Sequence, residues 1–306
     1  MNAATVSRWL WYLTLFGAIG ACGIRGVARR ALPRALPDDR PLRWQAEQSA
    51  RDLGLYATVA LLAVQAFRLY LQTRAFLDPS EPFTRAAVQP VLASAWGSGW
   101  SAQTYVSLLA CAGFLVAGRR ARAGWSLATT AALGLAATAP LTGHATESPW
   151  GTPVGVTLQA LHLLAGGLWL GSLLGLVLAG FGATRRLEPG QRAAAMAALV
   201  RTFSPLALVG AGGAVLLGVV MGYAYIGSLG ALWSSTYGRA LLLKVGLLAV
   251  VAGFGAYNWR RVTPRLGDAA ALPLLRRSAT TELVVGALLL AVTAVLVALP
   301  APRIAM

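Results

Sequence analysis

Apolar residues in this chain come in eight long runs separated by short polar stretches, at residues 8–27, 53–73, 102–118, 125–141, 154–182, 205–226, 237–259 and 280–299. Each has the 17 or so residues an α-helix needs to cross a bilayer. Backbone in lipid must satisfy its own hydrogen bonds, so each run predicts a helix. The expected fold is all-α: a polytopic bundle of about eight transmembrane helices, one domain over residues 1–306 with four-helix halves at 1–150 and 151–306. Leu92-Ala93-Ser94-Ala95-Trp96-Gly97 before the third run resembles Trp233-Ser234-Ser235-Thr236-Tyr237-Gly238 at the start of the seventh. Ala136-Ala137-Thr138-Ala139 likewise echoes Ala291-Val292-Thr293-Ala294. Both pairs lie four runs apart, as a parallel 4+4 repeat of the kind found in transporters would place them.

The loops set the orientation. Arg25, Arg29, Arg30, Arg34, Arg40, Arg43 and Arg51 lie around the first loop, Arg119, Arg120 and Arg122 in the third, Arg185, Arg186, Arg192 and Arg201 in the fifth, and Arg260, Arg261, Arg265, Arg276 and Arg277 in the seventh. The second loop holds Arg74 and Arg85, and the fourth and sixth hold none. The positive-inside rule makes the odd loops cytoplasmic and both termini external. The first run is followed at once by arginines, which favours a retained helix over a cleaved signal. The long second loop, with Trp96 and Trp100 at its end, predicts a short surface helix anchored at the headgroup level.

Composition agrees with the pattern. Hydrophobic residues make up 57% and charged residues 12%, against about 25% charged in soluble domains. The net charge of +16 comes from arginines between the runs, so it reads as topology and not as a nucleic-acid surface. Cys22 and Cys111 sit inside apolar runs and read as small core residues. The chain carries no P-loop, dinucleotide fingerprint or nucleophile elbow, so it reads as a non-enzyme in which ATP-driven transport would need another subunit.

Candidate chemistry centres on the only two histidines, His144 in the fourth loop and His162 in the fifth run. Both fall toward the outer side, and the short connection can fold His144 and Glu147 over the mouth of the bundle. A polar side chain inside an apolar run is costly unless it meets a partner or a cavity. Gly155, Gln159, His162, Gly166 and Trp169 recur at helical spacing and share one face. Imidazole is a good soft-to-borderline metal ligand, so His144 and His162, with Glu147 or Met221 as a further ligand, form the candidate metal site. Gln159, Trp169, Tyr237, Lys244 and Glu282 are candidates for the passage below. Arg68, near the outer end of the second run, is expected to snorkel. Glu282 is expected to meet Arg260 and Arg261 or to cap its own helix. The alternative chemistry is a membrane redox protein in which the two histidines ligate haem b.

The order of several motifs resembles the copper resistance protein D (CopD) family of bacterial inner-membrane proteins. They are Gly143-His144-Ala145, Leu161-His162-Leu163 with Gly167-Leu168-Trp169-Leu170-Gly171, Phe203-Ser204-Pro205-Leu206-Ala207, Thr236-Tyr237-Gly238-Arg239, Leu243-Lys244, Asn258 with Thr263-Pro264-Arg265-Leu266, and Glu282. The resemblance implies a multi-pass inner-membrane protein that moves copper, as Cu(I) or Cu(II), from periplasm to cytoplasm, with a small periplasmic copper-binding partner of the CopC type; a third reading that keeps the copper is a copper-delivery factor for an oxidase.

Overall fold

A computed structural model describes residues 2–266, 268 and 271–302, apart from the side chains of His144, Trp259 and Val262. The protein is an all-α polytopic membrane bundle. Its helices are α1 (Ala3–Ala35), α2 (Arg40–Arg74), α3 (Arg85–Ala93), α4 (Ala95–Ala117), α5 (Ala121–Thr138), α6 (Thr152–Arg186), α7 (Pro189–Ile226), α8 (Thr236–Tyr257) and α9 (Leu272–Leu296). All but α3 and α5 are long and apolar enough to cross a membrane. The run at 125–141 forms α5, whose 18 residues open on Arg122 and are otherwise mostly Ala, Gly, Ser, Thr and Leu, so its hydropathy falls below the others. It still runs the length of α4. A methyl group on Gly113 of α4 would lie 2.5 Å from the Ala128 nitrogen, and one on Gly99, at the other end, 2.7 Å from the Leu141 carbonyl oxygen.

Four helices exceed the runs that predicted them. With 33, 35, 35 and 38 residues, α1, α2, α6 and α7 are each roughly 50 Å or longer, against about 30 Å of hydrocarbon. The excess lies at the arginine-rich end. There the helices continue because they keep a core to bury, built from Ala31, Leu32, Leu42, Ala46, Ala195, Met196 and Leu199. Arg29 pairs with Glu47 at 3.6 Å, and the Arg25 guanidinium stands 4.5 Å from the Trp125 ring centroid. At the arginine-poor end Arg85–Ala93 forms the short helix α3, as the second loop predicted.

The centre of the bundle is the contact of α1 with α6, two parallel helices that begin the two halves. Phe16, Ile19, Gly20 and Ile24 of α1 face Gly166, Gly167, Gly171 and Gly175 of α6. A methyl group on Gly20 would overlap the Gly171 backbone, and one on Gly171 would overlap the Phe16 carbonyl. Close approach through small residues is the usual way helices associate where lipid supplies no hydrophobic drive. Along this contact α6 widens into π-helical turns at Gly167–Gly171 and Leu176–Gly180.

Two helix starts on either side of this seam are built alike. Antiparallel α4 and α5 in one half match α8 and α9 in the other. Ser94 caps α4 by accepting from the Gly97 N–H at 3.1 Å, and Ser235 caps α8 by accepting from the Gly238 N–H at 2.9 Å. Gly97 lies against the Val91 carbonyl and Leu92, and Gly238 against the Ala231 carbonyl and Leu232. These are the two loops whose sequences echo each other. Leu108, Leu115, Leu208, Leu216, Leu243 and Leu288 point outward and form an apolar belt.

Candidate functional site

The expected polar face of α6 exists, and the structure shows what it meets. Gly155 and Gly166 are buried, and Trp169 is nearly so. Gly155 accommodates the loop that returns from α5, since a methyl group there would overlap the Ala145 carbonyl and the Ser148 side chain. Gly166 receives the Phe16 ring. Trp169 packs on Gly210 of α7, and His162 packs on Gly218 of the same helix, whose added methyl would lie 3.3 Å from His162 Cε1. Ala214, Gly218, Met221 and Tyr225 recur at steps of four, three and four along α7. They form a stripe from His162 up to the arginine-poor end.

His162 is held by one bond. Its Nδ1 lies 2.9 Å from the Ala214 carbonyl oxygen. A carbonyl only accepts, so Nδ1 carries the hydrogen and, in the neutral ring, Nε2 keeps its lone pair. An imidazole whose Nδ1–H is engaged by a backbone carbonyl is the usual form of a metal-ligating histidine. Lys244 of α8 lies within electrostatic range of the same ring. Met221 is buried one turn above Gly218, on the stripe that carries His162. At the top, Tyr225 hydrogen-bonds with Ser148, lies within electrostatic range of Glu147, and neighbours the buried Tyr237. Gln159 is half-buried, one turn above His162.

The structure therefore brings His162, Met221, Lys244 and, at the mouth, Glu147, Tyr225 and Tyr237 to one side of the C-terminal half. His144 opens the single 3₁₀ turn His144–Glu147 beside Gly155, but its side chain lies outside the described residues. Among the described residues no group of three or more His, Cys, Asp or Glu side chains converges on a metal position. Both cysteines are free. Glu282 belongs elsewhere: it is buried near the arginine-rich end and accepts a hydrogen bond from Asn258 Nδ2. Among the described ion pairs it meets neither Arg260 nor Arg261, and ten residues into α9 it lies too far along to cap that helix; Asn258, just past the end of α8, holds it instead. Asn258 lies fourteen residue steps beyond Lys244, just past the end of α8, about 21 Å along the helix. Arg68 does not snorkel either; it is 9% exposed and stacked over Trp11.

Ala214 and Gly218 escaped notice in the sequence because neither carries a functional group. The signal that finds them is their spacing from Met221 and Tyr225 on one helical face.

Two family models match the chain. The copper resistance protein D-like N-terminal domain matches residues 1–152, and copper resistance protein D matches residues 197–296. The copper transport protein CutJ of Bacillus subtilis (strain 168) is 29% identical over 215 residues, covering 68% of this chain. The chain spans 38% of the length of that relative. No solved structure matches.

Proposed function

The chain belongs to the copper resistance protein D family, and on that premise we propose that it moves copper ions across a bacterial inner membrane, from the arginine-poor, periplasmic side to the arginine-rich, cytoplasmic side. The observation that carries the reading is the bond from His162 Nδ1 to the Ala214 carbonyl, which aims the chemistry of the ring at Nε2. The mouth at Glu147, with His144 in the same turn, receives the ion. Met221 and His162 take it on below, a thioether and an imidazole that suit Cu(I). Gln159, Tyr237 and Trp169 line the descent. Lys244 keeps the His162 site weak, because an ammonium within range of the ring repels a cation bound there. Conduction requires a site that releases as well as binds. Copper is cargo in this scheme, the protein is not an enzyme, and a periplasmic copper-binding protein of the CopC type is the donor.

The experiment is copper binding and uptake on the same preparation. Detergent-purified protein and its His162→Ala variant are loaded with copper for metal analysis, then reconstituted for vesicle uptake. Loss of both binding and uptake in the variant is the expected result. Copper that ignores the substitution removes the site, and a Soret band in the parent protein moves the assignment to haem. Binding without uptake in the parent identifies a delivery factor.

A further inference from the structure

The N-terminal half holds a buried polar cluster that copper handling at His162 does not use. Gln65 on α2 and Gln103 and Ser107 on α4 are fully buried. Gln65 is satisfied, since its Nε2 donates to Ser107 Oγ at 2.9 Å and its Oε1 accepts from Thr104 Oγ1 at 2.7 Å. Two neighbours are not. Gln103 Oε1 accepts the Trp11 indole N–H at 3.1 Å, and its Nε2 is buried with no acceptor. The Arg68 guanidinium carbon stands 5.1 Å from the centroid of the same Trp11 ring. Its Nη2 reaches Thr142 Oγ1 at 3.4 Å, and its Nη1 is buried with no acceptor.

A buried guanidinium ordinarily faces a carboxylate, since an uncompensated charge in the membrane interior is expensive. Among the described residues neither ion pair involves Arg68. Arg8 lies within electrostatic range and repels it. Water or a carbonyl would satisfy the two orphan donors but would leave the charge. An anion satisfies both. Each side chain is pinned at its other polar atom, Arg68 by Thr142 and Gln103 by Trp11, so the ligand must come to the donors. That favours a single-atom anion over a carboxylate or a phosphate.

We propose that the Nη1–H of Arg68 and the Nε2–H of Gln103 bind a small monovalent anion, chloride, beside Trp11. Thr142, the residue tied to Arg68, is two before His144, so the anion sits under the loop at the arginine-poor end. It offsets the charge of Arg8 and Arg68 where a cation approaches the protein.

The test is thermal unfolding of the full chain in nanodiscs, titrated with sodium chloride against sodium gluconate at constant ionic strength. The parent should show a saturable rise of several degrees in Tm with chloride. Gln103→Glu keeps the acceptor for Trp11, removes the orphan donor and supplies an internal carboxylate to Arg68. It should fold with at least the parent's Tm in gluconate and lose the chloride response. Arg68→Gln should also lose the response. A parent whose Tm is the same in both salts overturns the proposal, as does a Gln103→Glu variant that responds to chloride as the parent does.

Discussion

His162 Nδ1 donates to the Ala214 carbonyl at 2.9 Å, across the contact between α6 and α7. That bond fixes which ring nitrogen is available, and it makes α7 part of any chemistry at His162. Gly218, one turn from Ala214, leaves just enough room for the ring.

The first prediction concerns this support. Gly218→Val should push the ring off its bond without touching a ligand atom. Losing an orienting partner typically costs 10–100-fold in metal affinity. We expect a decrease of that order in copper affinity by equilibrium competition, with normal yield of folded protein. Unchanged affinity would mean that the bond to Ala214 does not orient a ligand.

Lys244→Met tests the proposed weakness of the site. Removing the ammonium should tighten copper binding by roughly tenfold, since at an effective dielectric near 20 a unit charge even about 10 Å away is worth on the order of a kcal/mol or more. Vesicle uptake should slow, because release becomes limiting. Weaker binding in Lys244→Met would instead assign the amine a direct role in holding the ion.

At the other end of the bundle, Glu282 and Asn258 form a pair whose role substitution can separate. Glu282→Gln keeps an acceptor for Asn258 Nδ2 and should leave Tm near that of the parent. Glu282→Leu leaves the buried amide without its acceptor and should cost about 1–3 kcal/mol. Uptake lost in Glu282→Gln at unchanged stability would place the carboxylate on the copper path.

The matched caps predict matched losses. Ser94→Ala and Ser235→Ala each remove the acceptor for a glycine N–H at the start of a spanning helix, and each should destabilise by about 1 kcal/mol, read as chemical or thermal unfolding in micelles. A much larger effect in one would show that the two turns, alike in geometry, carry different loads.

Most of the helices were legible as runs of apolar residues, because in lipid a spanning backbone has few alternatives to the helix. Their lengths were not. The sequence beyond residue 27 reads as a basic loop, yet α1 continues to Ala35 because Ala31 and Leu32 find α2 and α7 to bury against, a tertiary fact that periodicity alone does not carry. The polar face of α6 was readable from Gly155 to Trp169. Its partners were not, since Ala214 and Gly218 contribute a carbonyl and an absence of side chain. Arg68 looked free to reach the interface, and Trp11, fifty-seven residues away in the chain, holds it inside. Glu282 had arginines close in sequence, and Asn258 was closer in space.

The glycine seam between α1 and α6 also has a consequence for biogenesis. The surface of α1 that carries Phe16, Gly20 and Ile24 finds its match only when Gly166, Gly171 and Gly175 have been made, some 150 residues later. At about 5–20 residues per second of synthesis, α1 waits in the bilayer for roughly 8–30 s. Through that interval α1 exposes a surface with a notch at Gly20 between Phe16 and Ile24, open to any other close-fitting helix. Correct assembly of this protein is therefore a race between its own ribosome and its neighbours in the membrane.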